Sequence, residues 1–370
     1  KIYKIVLKHG KIQNSSGYSF DALNLRRCVQ LHVTKSELTV LERHSFRNLV
    51  SLLTLYLNFN SITIIETNAF FGLEKLKHLN LDYNKIRFLD FHLFSGFYLL
   101  RRLSMINNQL EKLNVNNGEI NVINLDLSAN RLHSIEDFDP ERLKKLKILN
   151  LNLNNLTRIN LKSRITNRSN ELFNIELNVA NNNFMIGDDW FSFEGFHQIK
   201  MLDFSSNQIR KDESTNSYLI QLDNVNEINE LHLCDLKLTS FHRLTIMYNS
   251  SDPLIIRKLF LKKNQIKSLE NVTFVGLDQL SEISFEGNQI ESLRRVFFYG
   301  IANLKKLVLN NNQIESLEQC HFKGFSNISE LILSINRIQS ISNFSFLTQL
   351  NQLKLLDLGY NLIRSIDFVD

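Results

Sequence analysis

Leucines return along this chain in a fixed setting, L-x-L-x-x-N-x-L, and the asparagine recurs as faithfully as the leucines. The pattern starts at Leu31, Leu55, Leu79, Leu103, Leu125, Leu149, Leu177, Leu202, Leu231, Leu259, Ile283, Leu307, Leu331 and Leu356, fourteen copies in all. In "LYL" and "LNL" leucines alternate with polar residues, which predicts a short half-buried strand per copy. One copy cannot bury its leucines alone, so neighbours must stack around a continuous core. An imperfect earlier copy, "IVLKHGKI" from Ile5, predicts a capping strand or partial repeat within residues 1–30.

Spacing is 24 residues from Leu31 to Leu103 and again from Leu259 to Leu331. The array over 31–370 is thus regular in 31–110 and 259–370 and irregular in 111–258, with insertions around "NLKSRITNRSNELF" and "RKDESTNSYLIQLDNVNE". Asn60, Asn84, Asn108, Asn130, Asn154, Asn182, Asn207, Asn264, Asn288, Asn312, Asn336 and Asn361 hold the asparagine position. A carboxamide both donates and accepts, so this ladder is predicted to bond backbone in its own turn and the next. Ser36 and Leu236 depart from it, and a break is expected at Leu236. Phe46, Phe70, Phe94, Phe274, Phe298, Phe322 and Phe346 recur at one register, which reads as core filling behind the strands rather than as a recognition stripe.

The 24-residue repeat with its phenylalanine, N-x-I-x-x-I-x-x-x-x-F-x-x-L, resembles the typical extracellular class of leucine-rich repeats. It looks like Toll-type receptor ectodomains or secreted insect leucine-rich immune proteins. That resemblance implies an α/β repeat solenoid, a horseshoe with a parallel β-sheet on its concave face and irregular or short helical segments on its convex side. It also implies a non-enzymatic extracellular module, an innate-immunity receptor or adhesion type, that binds a protein ligand or co-receptor and forms a homo- or heterodimer. The cysteine-rich caps usual in the family are missing, and the chain stops in mid-repeat at "SIDFVD". The alternative is an intracellular scaffold or the substrate-recognition arm of a larger enzyme.

Composition narrows the choice. Of 370 residues, 43% are apolar and only two are proline, which argues against disorder and Pro-rich linkers. A net charge of +5 with mixed signs does not call for nucleic acid, and none is expected as a partner. No apolar run nears the ~20 residues that span a bilayer, so membrane contact is expected only through segments outside this chain. The opening Lys1 reads as a processed or trimmed chain. No phosphate-cradling glycine loop, G-x-S-x-G or H-E-x-x-H occurs, and neither enzyme activity nor a cofactor or metal is expected.

Seven N-x-S/T sequons, at Asn14, Asn155, Asn167, Asn249, Asn271, Asn327 and Asn343, are candidate glycosylation sites. With 46 asparagines, roughly five or six would arise by chance. Cys28 reads as a small core residue or the remnant of a cap disulfide. Cys234 is expected outward on the concave face, and Cys320 on the convex side, ~14 Å away along the axis and out of disulfide reach. For recognition, the exposed strand positions near the start are Tyr56, Asn58, Phe59, Asn80, Asp82, Tyr83, Ser104 and Ile106. Tyr56, Phe59, Tyr83 and Ile106 are the candidate partner-binding residues, since aromatics are enriched at interface cores. Phe260, within a basic repeat, and Ile332, Ile335 and Tyr360 form further candidates.

Overall fold

The computed structural model describes residues 3–10, 25–114, 121–135, 145–157, 159–160, 174–186, 191–192, 198–209, 211–212, 217–222, 225–241, 244–247, 254–269, 277–293, 301–317, 327–342 and 350–367. It divides into two compact units, Lys1–Asn183 with Trp190–Gly195 and Phe184–Asp189 with Phe196–Asp370.

In the first unit, parallel strands Lys4–Lys8, Gln30–Thr34, Thr54–Tyr56, His78–Asn80, Arg102–Ser104, Asn124–Asp126, Ile148–Asn150 and Ile175–Asn178 lie side by side. Their register places Ile5 opposite Leu31, then Leu55, Leu79, Leu103, Leu125, Leu149 and Leu177 in one row. The second unit repeats the arrangement in Gln198–Asp203, Glu227–His232, Ile255–Phe260, Glu282–Ser284, Lys306–Val308, Glu330–Ile332 and Leu355–Asp357. The first leucine of each motif points inward and is buried from Leu31 to Leu331, because the pleat sends alternate residues to opposite faces.

Behind the strands, several of the described repeats close through short parallel pairs such as Val40–Leu41 with Ile64–Ile65 and Phe88–Asp90 with Lys112–Asn114. Among the described residues one 3-10 turn, Phe91–Phe94, adds helical character, and the Asp90 carboxylate accepts the His92 amide at its start. Phe46, Phe70 and Phe94 are buried and stack at 6.0 Å centroid spacing from one repeat to the next. The other four phenylalanines of that register lie outside the described residues. Gly72 is required where it stands. Its φ is +93°, and a Cβ there would meet the Arg47 carbonyl oxygen at 2.3 Å.

The asparagine side chains hold the turns together, in a direction opposite to one of the sequence expectations. Asn84 Oδ1 accepts the Ile62 amide at 3.0 Å, and its Nδ2 donates to the carbonyls of Leu57 and Leu81. It thus ties its own turn to the preceding repeat, not to the next. Asn108, Asn130, Asn154 and Asn182 repeat the pattern in the first unit, as do Asn288, Asn312, Asn336 and Asn361 in the second. Backbone groups buried on the inside of each turn are thereby paired.

The two departures from the ladder are handled identically. Asn60 Oδ1 accepts both the Ser36 and Leu38 amides, and Asn264 Oδ1 both the Leu236 and Leu238 amides. At both places a second residue adopts positive φ, Glu37 at 57° and Lys237 at 58°. The backbone bends differently where the carboxamide is missing, and the following asparagine takes the extra donor. The expected break at Leu236 is therefore a local change of turn, and the Leu236 side chain is buried.

Candidate functional site

One position of the repeat is built for glycine or asparagine yet carries other residues. The residue just before the ladder position has positive φ in every copy, from Lys35 to Tyr360. Its amide donates forward across the turn, as from Phe59 to Asp82 O at 3.0 Å and from Tyr83 to Ile106 O at 2.7 Å. The left-handed conformation lets the chain reverse so that the asparagine faces in and the residue before it faces out. That conformation suits Gly and Asn and strains bulky side chains. Asn107, Asn181, Asp235, Gly287 and Asn311 obey the preference. Phe59, Tyr83, Leu153, Ile335 and Tyr360 do not, and all five are exposed. Their apolar side chains lie outside the core and line the surface of the turn row.

Phe59 and Tyr83 form the most developed part of this row. Their rings stack at 4.4 Å and 10°, exposed 45% and 43%, and Lys35 Nζ lies 5.6 Å from the Phe59 centroid. The sequence reading put Phe59 and Tyr83 on strands. Both lie beyond the strand ends, in the turn, which is why they stand proud of the sheet. Tyr56 is on its strand, half-buried, with the His32 ring 4.3 Å away. Ile106 is half-buried immediately after its strand. Asp82, expected to be exposed, is buried. It accepts from Ser104 Oγ at 2.6 Å, the Ile106 amide at 2.8 Å and Asn80 Nδ2 at 2.7 Å.

Beside Tyr56 the sheet face opens into a shallow cleft of about 250 Å³, with His78, Asn80, Arg102, Ser104 and Asp126 on its walls. His78 and Arg102 are opposite each other in register. Burial, and then the positive charges of Arg102 and Lys77, hold His78 below the usual histidine range. Asp126, on the same walls, forms no ion pair with this group among the described residues. Its carboxylate takes the Ser128 amide and hydroxyl and Asn150 Nδ2. His78 and Arg102 were not among the sequence candidates, and the signal lay in the residue preceding each L-x-L.

In the second unit the same residue row carries Glu230, Lys258, Glu282, Lys306 and Glu330. Lys258 Nζ lies 2.8 Å from Glu230, and Lys306 Nζ 3.3 Å and 3.5 Å from Glu282 and Glu330. Against the upward push of burial, Lys258 and His232 hold the Glu230 carboxyl low. Lys306 is likewise held high by both glutamates despite its desolvation. Phe260 is half-buried, with His232 at 4.4 Å and Lys262 Nζ at 5.8 Å, and lies three strands from Ile332. Ile332 is half-buried on its strand, whereas Ile335 and Tyr360 occupy the left-handed turn position, Tyr360 exposed 89%. In the second set Phe260 stands apart, while Ile332, Ile335 and Tyr360 lie in adjacent repeats, as Tyr56, Phe59, Tyr83 and Ile106 do in the first.

Cys28 is fully buried. Cys234, expected outward, is only partly exposed. Its Sγ lies 3.6 Å from the Phe260 carbonyl, and burial pushes the thiol pKa up, away from reactivity. Cys320 and the sequon residues Asn14, Asn167, Asn249, Asn271 and Asn343 lie outside the described residues. Asn155 and Asn327 are exposed. Among the described residues no group of three or more His, Cys, Asp or Glu side chains could hold a metal ion, and no helix is long and apolar enough to cross a membrane.

Residues 26–86 and 282–338 match the family model of the leucine rich repeat. No curated protein matches the chain. Among solved structures the chain is similar to the APL1 leucine-rich repeat domain, at 21% identity over 97% of this chain and 87% of that one, TM-score 0.56. It is also similar to a chain of the mouse RP105/MD-1 complex, at 19% identity over 96% of this chain and 61% of that one, TM-score 0.56. A chain of the Drosophila Toll–Spatzle complex matches at 18% identity over 98% of this chain and 55% of that one, TM-score 0.53. The chain spans less than two thirds of the length of the last two. Repeat, register and these likenesses agree on the fold, a parallel-sheet solenoid of the leucine-rich-repeat kind.

Proposed function

We propose that this leucine-rich-repeat chain is a non-enzymatic extracellular recognition module of the innate-immunity or receptor type. It binds a protein partner through the sheet face and turn row of its first unit. The observation that carries this reading is the exposed Phe59–Tyr83 stack, held at a backbone position that disfavours both residues. A rigid repeat surface is pre-organised, so little ordering entropy opposes binding there. Similarity to chains from the RP105/MD-1 and Toll–Spatzle complexes supports a protein as the partner class. Exposed Ile335 and Tyr360 offer a second apolar surface for association with a co-receptor or another copy.

The test is cross-linking of the purified chain in extracellular fluid of its source. A discrete protein adduct is expected with the wild type and is lost on Tyr56→Ala with Tyr83→Ala. An adduct that survives both substitutions rules the first-unit face out. The free thiols Cys28 and Cys234 favour the competing intracellular scaffold. Mass before and after glycan removal decides between them: sugar on Asn155 or Asn327 belongs to the secretory pathway, and bare sequons on the native protein belong to the scaffold.

A further inference from the structure

On the first unit's sheet face, a guanidinium and an imidazole stand next to each other where the repeat frame easily supplies a counter-charge. Strand neighbours in a leucine-rich repeat bring the residue before each L-x-L into a continuous row. In the second unit that row alternates acid and base and closes on itself through Glu230–Lys258 and Glu282–Lys306–Glu330. In the first unit the corresponding residues are Thr54, His78, Arg102 and Asn124. Lys77 adds a second fixed positive charge beside His78. Among the described residues no acidic side chain forms an ion pair with Lys77, His78 or Arg102. The carboxylates of the nearest repeats, Asp82 and Asp126, accept from hydroxyl, amide and carboxamide donors. Arg102 and Lys77, without an ion-pair partner among the described residues, gain from a complex that brings an anion.

We infer that the cleft between Tyr56, His78 and Arg102 receives a carboxylate from an extended acidic segment of a protein partner, while an apolar side chain of that segment rests on the Phe59–Tyr83 stack. This inference rests on the protein-recognition reading above and gives that site its chemistry. Charge complementarity selects the occupant. A guanidinium beside an imidazole offers directed donors to one carboxylate. The cleft has room for one or two side chains, not a cofactor. Asn124 and Asp126 on its far wall and Asn150 beyond bring no further cation, so a polyanion spaced like nucleic acid would find no partner after its first phosphate. The stacked rings lie three residues past Tyr56 and Asn80 along their chains, which is about three to four residues of an extended partner strand away from the cleft.

Fluorescence anisotropy of labelled peptides tests this. The probe is a Gly-Ser peptide of about twelve residues carrying two adjacent Glu and, three residues on, a Phe. Its companions replace the Glu pair by Lys, or the Phe by Gly, and a single-stranded oligonucleotide of similar length serves as the polyanion. The acidic peptide is expected to bind. Arg102→Ala should weaken it about tenfold, Arg102→Lys should restore part of the loss, and the Lys peptide should not bind. Losing either the Phe or Tyr83 should weaken binding by a similar, smaller factor. Lys306→Ala in the second unit should change nothing. Failure of the acidic peptide to bind, equal binding of the Lys peptide, or indifference to Arg102→Ala would each overturn the inference. Tighter binding of the oligonucleotide, lost in Arg102→Ala, would replace the carboxylate by phosphate and overturn it too. If the peptides fail while the cross-linked adduct persists and still depends on Tyr56 and Tyr83, the recognition reading stands and only the carboxylate falls.

Discussion

The two units place a histidine at the same strand position, over the aromatic ring of the next repeat, and then treat it differently. His32 lies 4.3 Å from Tyr56, and His232 lies 4.4 Å from Phe260. Around His32 the nearby charges are Lys4 and Lys8, which add to burial in holding its pKa low. Around His232 stands Glu230 at 3.6 Å, itself bonded to Lys258. The scaffold is the same, and the residues between its leucines decide whether a face satisfies its own charges. The second unit's face is largely closed on itself. The first unit's face keeps Arg102 and Lys77 without an ion pair among the described residues, next to aromatics that its backbone does not favour, and it is there that we propose recognition.

The frame common to both units should be the most sensitive to damage. Phe70→Ala removes a ring buried between Phe46 and Phe94 and should lower stability by about 3–5 kcal/mol in chemical denaturation, a loss of core and not of the binding face. A change confined to binding would break the division between frame and face. Next comes the ladder. Asn84→Ala and Asn288→Ala each strand a buried amide and carbonyls and should cost about 1–3 kcal/mol, alike in the two units. Unequal costs would mean that the ladders are not equivalent.

Most of that frame was legible in the sequence. Leucine, asparagine and phenylalanine recur because each repeat must fill the same space and pair the same backbone groups, so periodicity announces them. Other features were hidden for physical reasons. The left-handed turn position has no residue signature, since Lys35, Phe59, Ala129 and Ile335 all occupy it, and Phe59 and Tyr83 therefore read as strand. The ladder's direction depends on which repeat's amides face inward, which spacing does not reveal. Asp82 reads as an exposed acid until Ser104, from the next repeat, is seen to cover it. The unpaired His78 and Arg102 could have been found, because aligning the residue before each L-x-L displays the charge alternation of the second unit and its absence in the first.

Charge substitutions should sharpen the comparison with smaller effects. Lys306→Ala breaks two half-exposed ion pairs and should cost at most about 1 kcal/mol, less in high salt. Arg102→Ala should leave the unfolding midpoint nearly unchanged while the His78 titration, followed by NMR, moves up toward its ordinary value as one of its repelling charges is removed. The smallest effect is the pH dependence of His78 itself. Its folded pKa lies below the unfolded one, so its contribution to stability is present above the unfolded value of about 6.5 and is lost as pH falls through the folded value. His78→Gln should flatten that part of the stability profile. In the acidic-peptide complex the anion favours protonated His78, so wild-type affinity should rise as pH falls below about 6.5, and the variant should lose this rise.

Hydroxyl-radical footprinting with and without the acidic Phe-containing peptide tests most directly whether recognition resides in the first unit. Protection of Tyr56, Phe59 and Tyr83, with Phe260 and Tyr360 labelled as before, is the predicted result. Protection at Phe260 or Tyr360 with the first-unit rings unchanged would contradict it and move the binding face to the second unit.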